Sequence, residues 1–345
     1  MTASIITPVT LLTGFLGSGK TTLLNRMLQH PSLQDMAVLI NEFGAVGIDH
    51  LLVVKTSGDM VVMANGCICC SVAGDMVRAL RELYFKRANS EIPFFKRVMI
   101  ETTGLADPAP IMHTLIEMPL VAARYSLAGI VTTVDATHGE AQLDQHFESV
   151  KQVAVADRIV ITKTDLATVE QLAALRARLE KLNPGATILD SAAGEVDPAR
   201  LLDTGLYQAG AKIPDVAKWL RAGAYRPISG NTKASGHDER IHAFAVFYDE
   251  PVVWQDLLDG LAALTAVRGD ELLRVKGIVN VAGESAPRAI HVVQHTLYPF
   301  ARLPAWPDQD RRTKIVFIVR DLSEQFIRDT LQSFIKSAHP HQAAA

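Results

Sequence analysis

The sequence predicts an α/β protein in two parts: a domain built on a mostly parallel sheet, then a smaller α+β domain of ferredoxin-like type. Three observations carry that expectation. Short Val- and Ile-rich runs alternate with longer helical patterns through roughly the first 205 residues, as parallel strands do with the helices that cross between them. The first apolar run ends in a glycine-rich loop. After about residue 240 the order becomes strand, helix, two or three strands, helix, which suits a small α+β sandwich.

The elements follow in order. Thr7–Thr13 reads as a strand, Lys20–His30 as a helix and Ala37–Asn41 as a strand. Leu51–Lys55 and Met60–Met63 form a hairpin around Ser57-Gly58-Asp59. Ala73–Arg87 is helical, and Arg97–Glu101, Gly129–Val134 and Arg158–Thr162 are buried strands. The helix Val169–Leu182 stops at Asn183-Pro184-Gly185. Ser229-Gly230-Asn231 and Ser235-Gly236-His237-Asp238 are turn and linker chemistry. Beyond them, Ile241–Tyr248 is a strand and Val253–Thr265 a helix. Leu272–Val281, Ala289–Leu297 and Lys314–Val319 are strands, and Ser323–Ser337 is a capped helix. The expected boundaries are residues 1–206 for the first domain, 207–240 for a linker and 241–338 for the second domain.

Of 345 residues, 48% are hydrophobic and 21% charged, enough to bury two cores. A net charge of −3 argues against a nucleic-acid or anionic-membrane partner. No apolar run approaches the ~20 residues of a membrane span, and no basic residue precedes Lys20 to open a signal segment. The three cysteines stand at 67, 69 and 70, a cluster unlike a secreted disulfide framework. The expected location is cytoplasmic.

Gly14-Phe15-Leu16-Gly17-Ser18-Gly19-Lys20-Thr21 fits the pattern G-x-x-x-x-G-K-[ST] between a strand and a helix. Gly14, Gly17, Ser18 and Gly19 would bring backbone N–H groups to phosphates, and the helix start aims its positive end at them. Lys20 would reach the β- and γ-phosphates, Thr21 would ligate Mg²⁺, and Thr22 completes the loop.

Two further segments bear on the nucleotide. Thr162-Lys163-Thr164-Asp165 follows a strand. The Asp165 carboxylate can accept two hydrogen bonds from guanine, a donor pair adenine lacks, and the Lys163 stem can lie on the base plane. Thr162 stands where the usual guanine motif has Asn. Alone, the segment reads equally as a capped helix start after a strand; the phosphate loop before it favours guanine. Glu101-Thr102-Thr103-Gly104 ends another strand. Glu101 could hold Mg²⁺ or orient the attacking water, and the Gly104 N–H could sense the γ-phosphate. Asn41-Glu42-Phe43-Gly44 is a second candidate switch, and Asp135 reads equally well as a turn residue.

Cys67, Cys69 and Cys70 precede the helix near Ala73. Thiolates are favoured at a helix start and by a soft divalent ion. Three of them suit Zn²⁺, with Glu42, another side chain or water as fourth ligand. A redox dithiol is the competing reading of the same cluster.

Taken together, GFLGSGKTT, NEFG, GCICC, ETTG and TKTD resemble the CobW-like family of P-loop GTPases, which is related to the nickel-insertion GTPases of urease and hydrogenase. Leu272–Gly277, Trp306 and the strand at 314–319 resemble that family's C-terminal domain. The resemblance implies a GTP-hydrolysing metallochaperone. Such a protein couples Zn²⁺ or Co²⁺ (Ni²⁺ is open) to its GTP/GDP state and delivers metal to a client metalloprotein. The second domain would recognise the client or mediate homo-oligomerisation. Many relatives carry Glu where this chain has Ala45, and Ile40 offers no ligand either. The rival readings are a redox-gated nucleotide-binding regulator, a P-loop small-molecule kinase, which would need an acceptor pocket and would usually read adenine, and a passive GTP-dependent scaffold.

Overall fold

The computed structural model describes residues 6–33, 35–40, 50–55, 60–65, 72–202 and 240–335. The chain separates into two compact units, Met1–Glu180 with Ala186–Gln208, and Lys181–Gly185 with Ala209–Ala345.

In the first unit the elements run β1 (Thr7–Gly14), α1 (Lys20–Gln29), β2 (Met36–Ile40), β3 (His50–Lys55), β4 (Met60–Asn65), α2 (Val72–Ala88) and β5 (Arg97–Glu101). Then come α3 (Ala109–Glu117), α4 (Pro119–Ala122), β6 (Tyr125–Asp135), α5 (Gly139–Gln145), α6 (Phe147–Val155), β7 (Arg158–Thr162), α7 (Val169–Leu182), β8 (Thr187–Asp190) and α8 (Pro198–Leu202). One sheet holds all eight strands in the order β4-β3-β2-β5-β1-β6-β7-β8. The six from β2 to β8 are parallel, and β3 and β4 add an antiparallel hairpin at the β2 edge.

Burial explains why the central strands read as unbroken apolar runs. Every residue of Arg158–Thr162 is buried, as are Val98–Glu101, which is what helices on both faces of a parallel sheet require. α1 lays Leu23, Leu24 and Met27 on the sheet against Leu12, Val38, Met99 and Val131. Each such side chain contributes about 1.5–3 kcal/mol.

Register then sets the site. Leu12 pairs with Glu101, Gly14 with Thr133, and Asp135 with Thr162. The residues singled out for chemistry therefore end neighbouring strands at one carboxyl edge, where parallel sheets bind ligands.

The second unit runs β9 (Ile241–Tyr248), α9 (Trp254–Arg268), β10 (Leu272–Val279), β11 (Arg288–Val293), β12 (Thr296–Leu297), β13 (Ala301–Arg302), β14 (Thr313–Arg320) and α10 (Glu324–Ile335). Its antiparallel sheet has the order β12-β11-β10-β14-β9, with β13 beside β11. β14 lies between β9 and β10, so the β9–α9–β10 unit is split by the last strand, as the α+β expectation requires. Leu257, Leu261 and Leu264 of α9 and Ile327 and Leu331 of α10 close over Phe244, Val275, Ile290 and Phe317. Ser323 caps α10 by accepting the Phe326 N–H at 3.2 Å.

One expected element is corrected. Ala289–Leu297 is not a single strand: it turns at Gln294-His295, with Gln294 at φ 49°, and Thr296 folds back on Val293. The expected linker, 207–240, and its turns lie outside the described residues except for Arg240.

Candidate functional site

The glycine-rich loop closes over the end of β1. A Cβ on Gly14 would come within 2.3 Å of Thr133 Oγ1 and 2.5 Å of the Thr133 carbonyl, so only glycine fits there. Gly19, at φ 86°, is the N-cap of α1, which has no side-chain cap and no acidic residue in its first turn. Its first N–H groups are left for an anion. Ser18, fully buried, shares a 2.7 Å hydrogen bond with Thr133 Oγ1. Thr162 Oγ1 donates to the Ser18 carbonyl at 2.7 Å. Thr162, where the usual guanine motif has Asn, thus ties β7 to the loop.

Lys20 is buried, and its ammonium donates to the carbonyls of Gly14 at 2.9 Å and Phe15 at 3.1 Å. Those acceptors hold a cation inside the loop. Thr22 is exposed on the same first turn of α1.

Thr21 Oγ1 donates to Glu101 Oε1 at 2.7 Å. These two residues, 80 apart in sequence, were each expected to face magnesium, and the fold brings them into contact. Glu101 is 4% exposed. A hydroxyl and a carboxylate oxygen within one hydrogen bond, beside a phosphate loop, are the hard donors Mg²⁺ prefers. Three residues on, a Cβ at Gly104 would meet Leu16 N and Cα at 2.6 and 2.7 Å. The segment after β5 therefore abuts the phosphate loop at a position where only glycine allows the approach.

Lys163 follows β7 in left-handed backbone, φ 56°. Its ammonium lies 2.5 Å from Asp135 Oδ2. The sequence left Asp135 open as a turn residue; it is that and more, since Oδ1 accepts the Thr137 N–H and hydroxyl, each at 2.7 Å. Burial raises the Asp135 carboxyl, but the Lys163 and Thr137 hydrogen bonds outweigh it and bring the pKa from 3.8 to about 2. The folded value lies below the unfolded one. Asp135 therefore adds stability above pH 4 that is lost as pH falls towards 2, by about 2 kcal/mol in all. We predict that Asp135→Asn removes this component from an acid-unfolding series; an unchanged pH profile would contradict the assignment.

Asp165 is exposed just past β7, and its Oδ1 accepts the Ala193 N–H at 3.4 Å. The loop Ser191–Gly194, which the sequence reading passed over, follows β8 at the same carboxyl edge. It lies between Asp165 and α1, where Arg26 Nε donates to the Ala193 carbonyl at 3.3 Å. Its small residues right after a strand were the available signal. Gln152 of α6 was also missed. It is 1% exposed and donates to the carbonyls of Gly104 at 3.2 Å and Ala106 at 3.1 Å. Beside it Lys151 pairs with Asp107 at 2.8 Å. A glutamine on the buried stripe of a helix, between Val150 and Val153, was legible as an anomaly but not as a clamp on the Glu101–Asp107 segment.

Cys67, Cys69, Cys70 and Glu42, the expected metal ligands, lie outside the described residues, as does the whole Asn41–Gly44 segment. Among the described residues no group of three or more His, Cys, Asp or Glu could hold a metal ion. The strands that flank those segments are described. Glu101 pairs with Ile40, Ile40 with Leu51, and Leu51 with Ala64. At about 4.8 Å per strand, β4 ends roughly 15 Å across the sheet from Glu101 on the same register row, and Cys67 follows two residues later in the sequence.

Among the described residues no helix is long and apolar enough to cross a membrane. Comparisons with known proteins agree with this fold. The family model described as the CobW/HypB/UreG nucleotide-binding domain matches residues 8–190, and that of the cobalamin synthesis protein CobW C-terminal domain matches residues 241–335. The chain is 33% identical over 325 residues to the zinc chaperone YjiA of Escherichia coli, covering 93% of this chain and 96% of that one. The crystal structure of Zn(II)-bound YjiA GTPase from E. coli superposes with a TM-score of 0.69 at 32% identity, over 95% of this chain and 99% of the other. The zinc-regulated GTPase metalloprotein activator 1 of Schizosaccharomyces pombe is 34% identical over 208 residues, 58% of this chain and 49% of its own length.

Proposed function

The chain belongs to the CobW/HypB/UreG family, with a CobW-type C-terminal domain, and from that premise we propose that it is a GTPase metallochaperone whose cargo is Zn²⁺. Residues 1–206 form the GTPase domain, 207–240 the linker and 241–338 the second domain. GTP is held by Gly14, Gly17, Ser18, Gly19, Lys20, Thr21 and Thr22 at its phosphates and by Lys163 and Asp165 at guanine. Zinc is held by Cys67, Cys69 and Cys70 with Glu42, and Co²⁺ fits the same donors. A client metalloprotein receives the metal, and the protein works in the cytosol, where the thiols stay reduced.

One observation carries the reading: Glu101 stands on two lines at once. It accepts the Thr21 hydroxyl at 2.7 Å, and its register row runs through Ile40 and Leu51 to Ala64. A change at the phosphate end of Glu101 therefore bears on the row that ends at Ala64, three residues before Cys67 in the sequence. Thr21 and Glu101 would hold Mg²⁺, which when bound neutralises charge on the β- and γ-phosphates. Lys20 turns its ammonium from loop carbonyls to phosphate oxygens. Gly104 offers its N–H to the γ-phosphate, and Gln152 holds the carbonyl side of the same segment. Glu101 orients the attacking water, and loss of the γ-phosphate releases the segment.

The zinc assignment is tested by metal analysis. After gel filtration the reduced protein is expected to retain about one Zn²⁺ per chain, and Cys69→Ser close to none. Full zinc in Cys69→Ser would overturn the ligand set.

A further inference from the structure

At the opposite end of the sheet from the nucleotide, the start of β6 lies in a groove of about 200 Å³. One wall is the last turns of α2, with Arg81, Tyr84 and Phe85; the other is the stretch through α4, with Leu120 and Arg124. Tyr125 forms the floor, its hydroxyl donating to the Leu80 carbonyl at 3.0 Å. Phe85 is 54% and Leu120 62% exposed. Both charges in the lining are arginines. Arg124 lies 4.8 Å over the Tyr84 ring and donates to the Ala123 carbonyl at 3.3 Å. Neither it nor Arg81 meets a carboxylate among the described residues.

The volume is below the 300–1,000 Å³ of small-molecule sites and suits one or two apolar side chains. Exposed aromatic rings beside arginine are the residue types that dominate protein interfaces. A lining whose described residues include two arginines that meet no carboxylate, and no acid, selects against basic partners and for carboxylates.

The placement in the chain is equally informative. α2 starts two residues after Cys70, and its far end builds one wall. At 1.5 Å per residue, its 17 residues span about 25 Å. α3 follows the Glu101–Asp107 segment and leads into the other wall.

We propose that this groove docks an acidic segment of the client, anchored by a Leu, Ile or Phe side chain between flanking carboxylates. It rests on the metallochaperone reading: a client held here is joined to the cysteine segment by one helix.

The test uses the full chain with GDP and a short fluorescein-labelled peptide built only of Glu, Asp and Leu, followed by anisotropy. The acidic peptide is expected to bind saturably. The double variant Arg81→Glu/Arg124→Glu should bind it at least about tenfold more weakly. The same variant should bind the matching Lys/Leu peptide better than the parent protein does, which also shows that it folds. Absence of saturable binding, or loss without the charge-swapped gain, would overturn the proposal. So would light scattering in which the double reversal breaks a dimer while peptide binding is absent, because the occupant is then a second copy of this chain. Nucleotide-linked zinc affinity is read separately. If it fails while the charge swap succeeds, the metallochaperone reading falls and the groove stands.

Discussion

Lys20→Ala is expected to slow single-turnover GTP hydrolysis by about 10³-fold. Placed charges that act on the transferring phosphoryl group supply effects of that order. The ammonium is buried and held in the loop by the Gly14 and Phe15 carbonyls. A structural cost comes with the kinetic one, because two carbonyls lose their charged donor. That is worth about 1–3 kcal/mol and should appear as a lower unfolding midpoint without nucleotide. Lys20→Arg is not expected to rescue turnover, since a planar guanidinium fork does not reproduce the compact point charge of an ammonium. Hydrolysis within tenfold of the parent would show that Lys20 only supports the loop.

Asp165→Asn should change which base the protein reads. A carboxylate accepts both the N1–H and the exocyclic amine of guanine. An amide keeps one acceptor and presents a donor where guanine also has a donor. Loss of two charge-assisted hydrogen bonds, each about 1.5–3 kcal/mol and partly compensated, weakens GTP by about 10²–10³-fold. The amide instead matches xanthine, which carries a carbonyl at that position, so xanthosine triphosphate should gain affinity. The Ala193 N–H on Oδ1 fixes the carboxylate from the loop side, and an Asn oxygen can keep that bond. Unchanged GTP affinity with no gain for the xanthine nucleotide would remove Asp165 from the base site.

These expectations draw on parts of the molecule that were unequally legible in sequence. The central strands were readable because burial on both faces forces runs such as Arg158–Thr162 and Arg97–Glu101. The phosphate loop was readable because its conformations demand glycine at fixed spacing. The helices between β5 and β7 were not assigned. α4 is only Pro119–Ala122, and α5 and α6 break at His146, whose extended backbone (φ −130°) interrupts any helical period. β6 runs from Tyr125 to Asp135, longer than the Gly129–Val134 core that its apolar residues marked.

The site divided in the same way. Lys20, Thr21, Glu101, Gly104, Lys163 and Asp165 each stood at a strand end or loop that pattern could find. Their partners did not. Asp135 is 28 residues from Lys163 and Gln152 is 48 from Gly104. Such pairs exist only once the sheet places the ends of β5, β6 and β7 and the helix α6 together. No local rule joins a turn aspartate to a lysine on the next strand.

The central claim is that nucleotide state and metal affinity are linked through Glu101 and the strand row that runs from it to Ala64. The measurement that tests it is a chelator-competition Zn²⁺ titration of fully reduced protein in three states: nucleotide-free, with GDP and Mg²⁺, and with a non-hydrolysable GTP analogue and Mg²⁺. Linkage requires zinc affinity to differ between the GDP and GTP-analogue states, by about 5–150-fold for ordinary coupling energies, and the preference for the GTP analogue over GDP to change with zinc by the same factor. The same zinc affinity in all three states would contradict the account, whatever the rate of hydrolysis.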